Sequence, residues 1–264
     1  MQAINRFLEQ VRSKPLRVLV IGDCLLDEYF QVKVSRISPE SPNIAVMRSD
    51  DSQPVAVRPG GAANVCCQFK PLGVQADFMG LVDDEAAAHL ATAGIRCGHS
   101  EPLPSGVPRK RRFFDGDVQV GNRWDIEVPR YGLDEDILKC YQTKLENTMV
   151  KVRDDYDAFI LSDYDKGLFA GSTFNDHLMF HLKGRLTVVD PKKGPLRKWY
   201  GCKVIKPNAA EAAALTGKTD WYEQAAHILN EACCETVVIT HGSAGVKVMQ
   251  EGARFHEYTP RART

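Results

Sequence analysis

Five short apolar runs, each closed by a polar residue, constrain this chain more than any other feature. They are Arg17–Asp23 (RVLVIGD), Ala158–Asp163 (AFILSD), Leu186–Asp190 (LTVVD), Lys203–Asn208 (KVIKPN) and Thr236–Thr240 (TVVIT). The runs are continuous rather than alternating, which suits strands covered on both faces. Helical patterns lie between them, near Asp134–Val152 and Ala209–Leu215. Strands alternating with helices imply an α/β protein with a mostly parallel sheet. Ligands of such sheets bind beyond the carboxyl ends of the strands. Asp23, Asp163, Asp190, Asn208 and Thr240 are therefore expected along one edge. Each alone also suits a cap for the turn or helix that follows. Five together point to a functional edge.

Other segments read differently. Tyr29–Ser35, Asn43–Arg48 and Val107–Glu127 alternate in apolar character, with a turn at Asp115-Gly116-Asp117. They predict half-exposed antiparallel strands and a hairpin, a small lid within about residues 29–48 and 107–127. At 44% apolar, the chain has enough material for one core across residues 1–264. Lysine plus arginine equals aspartate plus glutamate, 34 each, which argues against a nucleic-acid partner. No run approaches the ~20 apolar residues of a membrane span. Near the start, Ile4, Phe7, Leu8 and Val11 fall at helical spacing. Interspersed charges make that stretch no export signal. The eight cysteines form no CxxC. They read as reduced thiols of a cytoplasmic protein, most of them buried as small apolar residues. His177 and His181 are four apart without an HExxH pattern, so no zinc site is expected.

The strongest local signal is Pro59-Gly60-Gly61-Ala62-Ala63-Asn64. Glycines permit close backbone approach, and a helix opening here would aim free N–H groups at a ligand. Asn64 offers both a donor and an acceptor, which suits a sugar hydroxyl. Neither GxGxxG nor GxxxxGK[ST] is present, so the pattern is neither a dinucleotide fingerprint nor a P-loop. Arg109-Lys110-Arg111-Arg112 is a dense basic run. On a strand, Lys110 and Arg112 share one face and Arg109 and Arg111 the other. One pair suits clamping a substrate phosphate, and the run also suits a charged, solvated edge strand.

Together these residues resemble the ribokinase-like (PfkB) carbohydrate kinases. Gly60-Gly61-Ala62-Ala63-Asn64, with Gly73 and Gly80 following, is similar to that family's first signature. Val20-Ile21-Gly22-Asp23 with Asp27 is similar to its first strand and sugar-binding aspartate. Several stretches resemble one branch, the heptose 7-phosphate kinases. These are Ser35–Pro42, Arg58–Gly61, Leu161–Tyr164 with Lys166-Gly167, Asp190-Pro191-Lys192, and Pro207-Asn208 with Glu211. The resemblance covers about residues 15–260.

The resemblance implies a ribokinase-like fold with a β lid and ATP-dependent, Mg²⁺-assisted phosphoryl transfer to a small-molecule sugar phosphate. Heptose 7-phosphate would become the 1,7-bisphosphate. Asp27, Gly60, Gly61 and Asn64 would bind the sugar, Lys110 or Arg112 its phosphate, and Asp163 and Asp190 would also face substrate. Asn208 and Glu211 would serve the triphosphate, Glu211 holding Mg²⁺ through water. Asn208 and Glu211 also fit a helix cap with its acid three residues on. Lys192 would support the transferring phosphoryl group, with Thr240, Gly242 and Gly245 beside the nucleotide. Pairing of two copies through lid strands is a further implication. The family's G-A-G-D motif, which supplies an anion hole and the catalytic base, does not occur in residues 1–264. Thr259–Thr264 resembles the stretch just before it. The expectation is thus a fold lacking its C-terminal part and inactive by itself. The alternatives are a non-catalytic sugar-phosphate or nucleotide-binding module, or a partner of an intact kinase.

Overall fold

The computed structural model describes residues 16–40, 45–49, 52–121, 123–127, 129–252 and 254–259. The helical spacing of Ile4, Phe7, Leu8 and Val11, residues 41–44 of the expected lid, and Pro260–Thr264 lie outside the described residues. The chain begins with β1 (Arg17–Gly22), β2 (Cys24–Gln31), β3 (Lys33–Ile37), β4 (Ala45–Arg48), β5 (Ala56–Gly61) and α1 (Ala62–Phe69). Then come β6 (Gln75–Met79), β7 (Leu81–Val82), α2 (Asp84–Thr92), β8 (Glu101–Pro102), β9 (Arg109–Asp115), β10 (Val118–Gln119) and β11 (Trp124–Ile126). Next are α3 (Glu135–Val152), β12 (Ala158–Ser162), α4 (Thr173–His181), β13 (Leu186–Asp190) and β14 (Val204–Ile205). The last elements are α5 (Ala209–Thr216), α6 (Trp221–Ala232), β15 (Thr236–Thr240), β16 (Val246–Gln250) and β17 (Arg254–Tyr258).

The main sheet has the order β17-β16-β15-β14-β13-β12-β1-β6. The five apolar runs are neighbours in it, as β15, β14, β13, β12 and β1, all parallel. Leu19, Val20, Ile21, Phe159, Leu161, Val189, Ile205, Val237 and Ile239 are completely buried. In β1 consecutive residues are buried on both faces, whereas in β12, β13 and β15 buried residues alternate with partly buried ones such as Ile160, Val188 and Val238. β16 and β17 extend the sheet in antiparallel fashion. Among the described residues no helix is long and apolar enough to cross a membrane.

The alternating segments form the lid, though its pairing is mixed. β9 turns back into β10 at Gly116, where φ is 59°, and β11 also pairs antiparallel with β9. β2 and β5 are antiparallel, whereas β2 and β9 run parallel. The sequence suggested only antiparallel pairing, because local alternation carries no information about strand direction. β3 and β4 form a separate two-stranded ribbon, tied to the hairpin turn by Val34 N–H donating to Asp115 Oδ2 at 3.0 Å.

One buried carboxylate joins these parts. Asp23, directly after β1, is fully buried and accepts four hydrogen bonds. The Tyr131 hydroxyl donates to Oδ1 at 2.5 Å and Leu168 N–H at 3.1 Å. Tyr164 and Lys166 N–H groups donate to Oδ2 at 2.9 and 3.2 Å. Burial raises the Asp23 pKa above the usual carboxylate range, an effect the Tyr131 bond partly opposes. Tyr131 itself adopts the left-handed region, with φ 57°. Removing a partner from a buried polar cluster leaves the others desolvated and unpaired. Asp23→Ala is therefore expected to cost about 3 kcal/mol and Tyr131→Phe about 1 kcal/mol, read from urea unfolding midpoints.

Candidate active site

The glycine pair shapes the turn from β5 into α1. Gly61 ends β5 and caps α1 with φ 59° and ψ −137°. A side chain there would begin 2.6 Å from the Asp23 carbonyl oxygen, which accepts from Ala62 N–H at 3.0 Å. At Gly60 a Cβ would fall 2.7 Å from Asp27 Oδ2. Two missing side chains thus let the Asp27 carboxylate lie against β5 and let the buried start of α1 pack against the Asp23 carbonyl. Asn64 is exposed in the first turn of α1, its Oδ1 accepting from Gln68 Nε2 at 3.2 Å.

The basic run divides by face as strand alternation requires. Arg109 and Arg111 both turn to Glu28, at 2.8 and 2.6 Å, and Glu28 is only 3% exposed. Burial pushes the Glu28 carboxyl up, but the two guanidinium partners outweigh it and hold the group below its ordinary value. Lys110 and Arg112 occupy the opposite face. Arg112 donates to Asp27 Oδ1 at 2.5 Å. Lys110 Nζ lies 5.6 Å from the centroid of the Tyr164 ring and makes no hydrogen bond or ion pair among the described residues. Burial lowers the Lys110 pKa, and the charges of Lys166 and Arg123 lower it further. Those two cations are already paired, Lys166 with Glu127 and Arg123 with Asp125. A half-buried, unpaired ammonium among other cations is a site that an anion completes.

A second group of residues lies along the sheet edge. Asn208 caps α5, its Oδ1 accepting from Glu211 N–H while Glu211 Oε2 accepts from Asn208 N–H, both at 2.9 Å. The capping-box reading of these two residues is thus the observed local geometry. Lys192 Nζ reaches the other Glu211 oxygen at 2.9 Å. Asn208 bridges to Thr240 across the strand ends, and His241 N–H donates to the Gly245 carbonyl at 2.7 Å. Gly242 and Gly245 take φ of 57° and 100°, shaping the turn beside Thr240. Asp190 holds Lys206 at 2.9 Å, and burial raises its pKa with the Glu211 charge adding to the effect. Asp163 is nearly buried, bound to Lys198 at 2.7 Å and to Asp165 N–H at 2.8 Å.

Most residues named from sequence fall into two groups, while Asn64 stands exposed on α1 and Asp163 is held by Lys198. Asp27, Gly60, Gly61, Lys110 and Arg112 meet on the sheet of β2, β5 and β9. Lys192, Asp190, Asn208, Glu211, Thr240, Gly242 and Gly245 line the edge. Tyr164 connects them: its ring takes Lys110, and its hydroxyl feels Asp190, Glu211 and Asp27, which with burial raise its pKa. Sequence reading passed over Tyr164 as a site residue because only its place after β12 could have marked it. Glu28 was missed likewise; its signal is its position beside Asp27 on β2, with side chains on opposite faces.

Residues 179–264 match the pfkB family carbohydrate kinase model. Bifunctional protein HldE of Shewanella baltica (strain OS155 / ATCC BAA-1091) is 31% identical over 242 residues, covering 90% of this chain and 49% of that protein. Bifunctional protein HldE of Psychromonas ingrahamii is 30% identical over 247 residues, 89% of this chain and 49% of that protein. Residues 179–264 thus carry the pattern of the pfkB family carbohydrate kinases, and the chain as a whole is similar to the HldE proteins. It spans about half the length of the curated relatives it matches. The fold is ribokinase-like: the tetrameric inhibited form of phosphofructokinase-2 from Escherichia coli superposes with TM-score 0.72 at 17% identity, covering 94% of this chain and 81% of that one. Arabidopsis thaliana ribokinase complexed with ribose and ATP gives 0.60 at 14% identity, covering 93% and 78%.

Two outcomes follow from the electrostatics. The depressed Glu28 pKa means that its ion pairs stabilise the fold above the ordinary glutamate pKa and are lost as pH falls through the depressed one. Wild type should lose urea resistance across that acidic window, while Glu28→Gln starts lower at neutral pH and changes less. Lys110→Met removes a crowded cation and should leave the thermal midpoint unchanged or slightly raised, while weakening inorganic phosphate binding about tenfold or more by calorimetry.

Proposed function

We propose that this domain binds ATP and a sugar phosphate for phosphoryl transfer, with heptose 7-phosphate as acceptor and heptose 1,7-bisphosphate as product. The observation that carries this reading is Lys110. It stands unpaired over Tyr164, beside the Arg112–Asp27 pair, between the lid and the sheet edge. Lys110 and Arg112 would hold the acceptor's own phosphate, Arg112 exchanging part of its contact with Asp27 for it. Asp27, the Gly60–Gly61 backbone and Asn64 would take the sugar hydroxyls. Asp163, tied to Lys198, would steady the loop that presents Tyr164. The likeness to the HldE proteins supports the acceptor class.

On the donor side, Asn208, Thr240, Gly242 and Gly245 would flank the nucleotide, and Lys192 would meet the transferring phosphoryl group. Phosphoryl transfer depends on placement and positive charge more than on covalent help. Asp190 and Glu211 repel one another and each is held by one lysine. That donor set fits Mg²⁺ held through water, which keeps most of its hydration when it binds protein carboxylates. The ion would neutralise charge on the triphosphate. Among the described residues, Asp23, Asp27, Asp163, Asp190 and Glu211 are each engaged by a cation or by backbone donors. We assign none of them as the base, and these residues by themselves are proposed to bind and orient rather than turn over at a kinase rate.

Calorimetry and an ADP-release assay test this. Lys110→Ala and Arg112→Ala should each weaken heptose 7-phosphate about tenfold or more while leaving ATP binding unchanged. No change in either variant would sink the acceptor assignment. Binding of both ligands without turnover would support the binding-and-orienting role, and full-rate turnover by residues 1–264 would overturn it.

A further inference from the structure

The face of the lid sheet that carries Lys110 also carries a second unpaired cation, and strand register places it. Arg58 on β5 and Lys110 on β9 both stand opposite Asp27 on β2. Residues directly opposite one another share a face. A row Arg58–Asp27–Lys110 therefore crosses three strands, and the next row is Ala56–Tyr29–Arg112. Arg58 is exposed and makes no hydrogen bond or ion pair among the described residues. Its guanidinium lies instead 5.3 Å from the centroid of the Tyr29 ring. The Arg112 guanidinium lies 5.8 Å from the same centroid, and the Phe114 ring packs beside it at 5.9 Å. An aromatic ring attracts a cation without neutralising it. Tyr29 thus gathers guanidinium groups from the strands on either side and leaves their charge in place.

The balance of charge says what this face can take. Among the described residues, Asp27 is the one carboxylate that β2, β5 and β9 put on it, and Arg112 already holds that group. On β11, Asp125 is taken by Arg123. Arg58, Lys110 and Arg112 against Asp27 leave an excess of two positive charges. A phosphate monoester carries nearly two negative charges at neutral pH. Cations gathered on adjacent rows repel one another, and a dianion between them removes that cost.

We infer that Arg58 is a third cation of the acceptor's phosphate site and that Tyr29 is its positioning residue, an inference that rests on the roles proposed above for Lys110 and Arg112. A guanidinium offers paired N–H groups that match two phosphate oxygens, whereas the Lys110 ammonium acts as a point charge. With Arg58 on one side of Asp27 and Lys110 on the other, the face selects a dianionic ester over a neutral sugar.

Calorimetric titration with heptose 7-phosphate, inorganic phosphate and ATP tests this. Arg58→Ala should weaken heptose 7-phosphate and inorganic phosphate about tenfold each, with ATP binding and the thermal midpoint unchanged. Tyr29→Leu should weaken both about threefold, and Tyr29→Phe, which keeps the ring, should bind as wild type. Wild-type phosphate affinity in Arg58→Ala, with Lys110→Ala weakened, would overturn the role of Arg58 and leave the acceptor assignment standing. Wild-type affinity in Arg58→Ala, Lys110→Ala and Arg112→Ala alike would overturn both. An equal loss of ATP binding in Arg58→Ala would overturn a phosphate-site role, and equal losses in Tyr29→Phe and Tyr29→Leu would overturn the positioning role of the ring.

Discussion

At the end of the first strand, one buried carboxylate gathers donors from two stretches of chain more than a hundred residues away. Asp23 joins β1 to the loop after β12 and to Tyr131, and its own carbonyl receives the first N–H of α1. The sheet edge, the glycine turn and the Tyr164 loop are thereby held at fixed spacing. A carboxylate in a fully apolar setting would be too costly to keep charged. Four donors make it tolerable, and the same donors fix the geometry around it.

The lid is organised by a similar trade. Glu28 draws Arg109 and Arg111 to one face of β9, which commits Lys110 and Arg112 to the other. The second face then has a cation excess that Asp27 relieves only in part. Charge settled on one side of a strand creates unsettled charge on the other. That is how an overall neutral chain comes to hold a local excess of positive charge.

Much of this was legible in the residues. Continuous apolar runs announced the five parallel strands, although only β1 is fully buried on both faces. Alternation within 107–127 announced the hairpin, and the acid three residues after Asn208 announced the capping box. Less legible were the partners. Asp163 and Asp190 looked like free edge carboxylates, and the structure gives each a lysine, Lys198 and Lys206, from loops whose paths no local pattern specifies. The cysteines divided in the same way: Cys24, Cys66, Cys202 and Cys234 are buried, Cys67 and Cys97 half-buried, and Cys140 and Cys233 exposed. Cys233 follows α6 in a left-handed turn with φ 48°.

By itself the sequence determined the α/β class, the five parallel strands, the hairpin, the glycine turn and the two faces of the basic run. All of these follow from periodicity and from backbone preferences within a few residues. Only the tertiary structure decided that β2 runs parallel to β9, that Asp23 is a structural node, and that Tyr164 stands between Lys110 and the sheet edge. Each of those is a meeting of segments far apart in the chain. Such meetings are set by the packing of whole layers and by which buried polar groups find partners, and no local pattern encodes them.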